Sequence, residues 1–96
     1  MTASQNSDRL AQLRIAIDHL DDELVALFAK RFAIVNQVVE VKKAEGLPAA
    51  IPERVAEVVA RVKLKAETQG FPAATAEKLW RLLIADMIEF EEQHLK

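Results

Sequence analysis

The sequence predicts an all-α protein with three helices per chain, the first of them very long. Two observations carry this. Apolar residues recur at helical spacing almost without a break, and the only strong breakers fall in two short clusters, "EGLPAAIPER" and "GFP". Nothing in the chain shows the alternating runs of β-branched and aromatic residues that strands need.

The first helix is expected to begin near Ser7 or Asp8, both good N-caps, with residues 1–7 as a flexible lead. Its stripe runs Leu10, Leu13, Ile17, Leu20, Leu24, Leu27, Arg31, Ile34, Val38 and Val41, a 3–4 alternation with heptad character. No Gly or Pro interrupts it before Gly46, so the helix spans about residues 8 to 45, or about 57 Å at 1.5 Å per residue. A domain of this size is only about 30 Å across. The overhanging stripe therefore needs cover, most simply from a second copy in a two-fold, intertwined helical homodimer. Gly46 and Pro48 end the first helix, and Pro52 suits the first turn of the second. The second helix runs to about Gln69, with Val55, Val58, Val59 and Val62 facing inward. Gly70 ends it. The third starts near Thr75, reaches about His94, and carries the stripe Trp80, Ile84, Met87 and Glu91.

The 96 residues form a single domain, 1–96. Half are apolar and only two are glycine, which excludes a disordered chain. There is no cysteine, hence no disulfide, thiolate nucleophile or zinc-thiolate site. The start "MTASQNSDR" lacks the regions of a signal peptide, and no apolar run is long enough to span a membrane. A cytoplasmic location is expected, with no membrane contact. A net charge of −2 with interspersed signs argues against nucleic acid. No phosphate loop, catalytic Ser/His/Asp set or metal motif is present, and no cofactor is expected. His19 and His94 have no metal-ligand spacing and read as surface residues.

The informative residues are charges on or beside apolar stripes. Arg31 and Lys42 are eleven residues apart and share a face of the first helix. Arg14 lies 17 residues before Arg31, about 25 Å along the axis. In an antiparallel pair of long helices, Arg14 of one chain can arrive beside Arg31 of the other. Arg54 opens the second helix, where backbone N–H groups also favour an anion. Glu91 can join from the third. Plainer readings stand beside these. Arg31 can pair with a carboxylate across a dimer seam, Lys42 can be a solvated helix-end lysine, and Arg14 and Arg54 can make surface salt bridges. Glu91 can lie exposed where the stripe frays, and Trp80 and Met87 can serve packing alone. On pattern alone, the cations point to a small dicarboxylate held in a helical dimer. A non-catalytic helical dimerisation module is the competing class.

The segments "LRIAIDHLDDELVALFAKRFAIVNQVVEVKKAEGLP", "PERVAEVV" and "LWRLLIADMIEFEEQ" together resemble the all-helical chorismate mutase family, which includes the isochorismate pyruvate lyases. The resemblance covers about residues 8 to 93. It implies an intertwined dimer with two active sites, each borrowing an arginine from the other chain's first helix. By motif position, Arg14 resembles that borrowed arginine and Arg31 the arginine that grips a substrate carboxylate. Lys42 resembles the lysine that reaches the ether oxygen and a carboxylate, and Arg54 adds positive charge. Glu91 falls where many members have glutamine and some have glutamate. The activity implied is the rearrangement of chorismate to prephenate, a step of aromatic amino acid biosynthesis in the shikimate pathway. Three positions depart from the usual mutase pattern. Ile51 and Val55 stand where polar or acidic partners of the ring hydroxyl are common, and Met87 where a small polar residue is common. These apolar choices resemble the lyase branch, which gives salicylate and pyruvate from isochorismate.

Overall fold

The computed structural model describes residues 2–96 and consists of three helices: α1 (Ala3–Glu45), α2 (Pro52–Gln69) and α3 (Ala73–Leu95). No strand occurs among the described residues, and no helix is long and apolar enough to cross a membrane.

Helix α1 starts four residues before the expected cap at Ser7. The reason is local. Thr2 and Gln5 form a reciprocal capping pair: the Gln5 N–H donates to Thr2 Oγ1 at 3.2 Å, and the Thr2 N–H donates to Gln5 Oε1 at 2.8 Å. "TASQ" has the Ser/Thr-x-x-Glu/Gln spacing that closes an N-terminus in this way. The other ends fall within two residues of expectation. Gly46 takes a φ of 68°, and the Leu47 N–H closes the end of α1 by donating to the Lys42 carbonyl at 2.9 Å. Gly70 takes a φ of 75°, and the Phe71 N–H donates to the Ala66 carbonyl at 2.8 Å. Pro52 opens α2 as its first residue, while the Ile51 carbonyl accepts from the Arg54 and Val55 N–H groups.

The chain divides into two compact units, one ending at Ile34 and one running from Val35 to Lys96. In the second, α2 and α3 pack on each other. Val59 and Ala66 are buried on α2, and Ala76 and Ile84 on α3. Val55, Val58 and Val62 are half-buried, as expected for an inner face, and so is Trp80. The last turns of α1 contribute Val39, which is buried, with Val35 and Lys42 half-buried at helical spacing from it. Val38 and Val41, one position away, stay exposed. The end of α1 thus carries two apolar rows, one used within the unit and one left over. Lys63 of α2 and Arg81 of α3 both pair with Glu77, at 3.2 and 2.8 Å.

The first unit is α1 alone up to Ile34. Its stripe residues Leu10, Leu13, Ile17, Leu20, Leu24, Leu27 and Ile34 are all exposed. Among residues 2–34, Arg31 alone is half-buried rather than exposed.

Candidate active site

The centre of the candidate site is built where α1 ends. Lys42 stands one turn past Val39, so helical geometry turns its side chain toward the covered face. On α3, Glu91 follows Ile84 and Met87 at spacings of 3 and 4, and this row stays covered to its end. Glu91 is the buried charged residue among the described residues, with a relative exposure of 7%. The two side chains meet: Lys42 Nζ donates to Glu91 Oε1 at 2.8 Å. Lys42 Nζ also donates to the Ala49 main-chain carbonyl at 2.8 Å. Both plainer readings of these residues are therefore corrected. Lys42 is not a solvated helix-end lysine, because its side chain is only 13% exposed and doubly bonded. Glu91 is not on a frayed end, because α3 continues to Leu95.

The pair is a preset dipole in a place sheltered from water. An uncompensated carboxylate there would cost several kcal/mol, roughly, which pairing with an ammonium offsets. An ammonium has three N–H donors and no acceptor. Two are committed, to Glu91 and Ala49, and the third has no partner among the described residues. The arrangement can therefore offer one directed, charged donor to a small anionic or electron-rich oxygen.

The remaining positions are distributed as follows. Ile51 is the residue before α2 and Val55 lies in its first turn; both are half-buried, as is Met87 on α3. Arg54 is exposed and forms an ion pair with Glu57, one turn along α2. Arg14 is exposed and Arg31 half-buried, both in the first unit. Neither has a carboxylate partner among the described residues. His19 and His94 are exposed, and His94 Nδ1 bonds the Phe90 carbonyl at 2.8 Å. A groove lined by Leu47, Pro48, Ala49, Glu92, Leu95 and Lys96 shares Ala49 with this centre but is lined by neither Lys42 nor Glu91. The contact missed by sequence reasoning is the Ala49 carbonyl. No side-chain pattern reports where a main-chain oxygen points, although the Gly46 and Pro48 punctuation did mark a tight connection.

Comparison with known proteins identifies the family. The chain is 40% identical over 86 residues to the T-protein of Haemophilus influenzae, covering 90% of this chain and 23% of that protein. It is 26% identical over 89 residues to the chorismate mutase of Methanocaldococcus jannaschii, covering 93% of this chain and 90% of that protein. It is 28% identical over 89 residues to the bifunctional chorismate mutase/prephenate dehydratase of Aquifex aeolicus, of which it covers 25%. The chain spans less than a quarter of the length of the T-proteins it matches. The family described as chorismate mutase type II matches residues 13–92, which include Arg14, Arg31, Lys42, Arg54 and Glu91, and the chain belongs to that family.

Proposed function

We propose that the chain is a chorismate mutase, rearranging chorismate to prephenate in a cationic pocket completed by a second copy of itself. The observation that carries this reading is the buried Lys42–Glu91 pair with one ammonium donor uncommitted. The reaction is a concerted pericyclic shift and asks the protein for no proton transfer and no covalent intermediate. It asks for two things. The substrate's two carboxylates must be held so that the enolpyruvyl arm lies over the ring. The negative charge that builds on the ether oxygen as the C–O bond breaks must be met by fixed donors.

Lys42 is the charged donor to that oxygen. Glu91, beside Lys42, can add a second donor when protonated; ionised, it neutralises Lys42 instead. Arg31, and Arg14 from the second copy, receive carboxylates, for which a planar guanidinium fork is suited. Arg54 adds charge at the start of α2. Its ion pair with Glu57 is solvent-exposed, a kind worth about 0.5 kcal/mol, so exchanging Glu57 for substrate costs little. Ile51, Val55 and Met87 shape the wall around the ring. The second copy is supported by the exposed stripe from Leu10 to Ile34, since each leucine buried there contributes about 1.5–3 kcal/mol.

A second reading rests on that wall. Ile51 and Val55 offer no polar partner to a ring hydroxyl, which favours a substrate whose hydroxyl lies at another carbon. The same pocket then acts as an isochorismate pyruvate lyase. Incubating the purified chain separately with chorismate and isochorismate decides between them. Prephenate from chorismate is expected. Salicylate and pyruvate from isochorismate alone would establish the lyase. Turnover of neither substrate leaves the helical dimerisation module.

A further inference from the structure

Lys42 is held by the connection between α1 and α2 as well as by Glu91, and we propose that the Ala49 main-chain carbonyl is the positioning group for its ammonium. This inference rests on the mutase-or-lyase reading above. The carbonyl accepts from Lys42 Nζ at 2.8 Å, and Ala49 is buried at 8% exposure, so water competes poorly for either partner. The connection is pinned at both ends. The Leu47 N–H bonds the carbonyl of Lys42 itself, and the Ile51 carbonyl accepts from the Arg54 and Val55 N–H groups. Pro48 and Pro52 each fix a φ angle on either side of Ala49. Residue 42 is thus tied to the same six-residue connection, 46–51, through its main chain and its side chain.

The consequence is geometric. An ammonium held by Glu91 alone could swing about that single bond. Held by Glu91 and Ala49 together, its third N–H has one direction, set by the tetrahedral nitrogen. The Ala49 hold is also indifferent to protonation, because an amide carbonyl accepts whether Glu91 is charged or neutral. A donor aimed in advance lowers the barrier where charge develops in the transition state and adds little to ground-state binding. Ala49 therefore acts through Lys42 on kcat, not on KM.

The test replaces the peptide between Ala49 and Ala50 by an ester, with L-lactate in place of Ala50. This keeps every side chain and weakens the Ala49 carbonyl as an acceptor. The N–H it removes belongs to Ala50, which is exposed and makes no backbone hydrogen bond among the described residues. The control places the ester one residue later, between Ala50 and Ile51. The expected result is a fall in kcat of about tenfold with KM within about twofold, in the first chain only, as for a weakened bond to a charged group. Unchanged kcat, a loss that appears as a raised KM rather than a lowered kcat, or an equal fall in the control overturns the proposal. If the ester chain does not fold, Pro48→Gly decides. It loosens the connection, and a kcat lowered about threefold with KM kept is expected; unchanged kcat overturns the proposal. Wild-type chain that turns over neither chorismate nor isochorismate marks failure of the functional reading instead, and this inference falls with it.

Discussion

Residues 2–34 and residues 35–96 are made of the same material and put it to opposite uses. Both are helical and rich in leucine, isoleucine and valine. In the second unit apolar side chains close on one another, burying Val39, Val59, Ala66, Ala76 and Ile84, and the Lys42–Glu91 pair lies within it. In the first, no residue is buried, and Leu20, Leu24 and Leu27 are each at least half exposed. The electrostatics divide in the same way. The second unit pairs its half-buried Lys42 with a buried carboxylate, while Arg14 and Arg31 of the first have none among the described residues. One unit has its buried carboxylate paired within itself. The other is a surface with unmet apolar and cationic demand, which is what a partner chain and a dianionic substrate would satisfy.

The largest expected effect comes from denying the first unit its partner. With a second copy as the cover proposed above, Leu20→Glu with Leu24→Glu would put four carboxylates into a two-fold seam, so assembly and turnover should both be lost. Sedimentation should show a monomer that keeps its α2–α3 packing. Dimers that persist with full activity would mean that the stripe is covered by something else.

Next come the cations on either side of the divide. Arg31→Ala and Lys42→Ala should each remove at least about 3 kcal/mol of transition-state stabilisation, about 100-fold or more in kcat/KM. Circular dichroism should remain helical for Arg31→Ala, which has no carboxylate partner among the described residues. Lys42→Ala strands the buried Glu91 carboxylate and should also lower the denaturant midpoint, so its turnover is compared under conditions where the chain stays folded. Near-normal turnover in either variant would separate that residue from the reaction.

The smallest effect sharpens the account of the second unit. Arg81 first, and Lys63 after it, hold the Glu77 carboxyl below its ordinary value through hydrogen bonds and charge. A carboxyl depressed in the folded chain contributes stability above the unfolded value, about 4.3 for glutamate, and loses it as pH falls through the folded one. Glu77→Gln should therefore be slightly less stable than wild type at pH 7, and the two should converge in acid. Denaturant midpoints at the two pH values check this, and a gap that widens in acid would reverse the sign assigned here.

Legibility from sequence followed the range of the interaction. Gly46, Pro52 and Gly70 act on their immediate neighbours, so the helix ends they set could be read directly. The Thr2–Gln5 capping pair is equally local and was readable, but the stronger-looking caps at Ser7 and Asp8 lie inside the helix it starts. Lys42 and Glu91 are 49 residues apart, and no spacing rule joins them; spacing put each on a face, and only packing of the unit brought the faces together. Arg31 was marked by its place in an apolar stripe. The two rows at the end of α1 were not distinguished, because residues 34, 38, 41 and 35, 39, 42 obey the same periodicity.

The open stripe of α1 has a consequence for dosage. With a second copy as its cover, the assembled fraction follows chain concentration by mass action, so specific activity should drop on dilution rather than stay constant. A single defective allele would then be felt beyond its own product. Chains that dimerise but lack Arg14 or Arg31 would enter mixed pairs and spoil sites in otherwise sound molecules. Two differently damaged chains, one lacking each arginine, would together regain one intact site per pair.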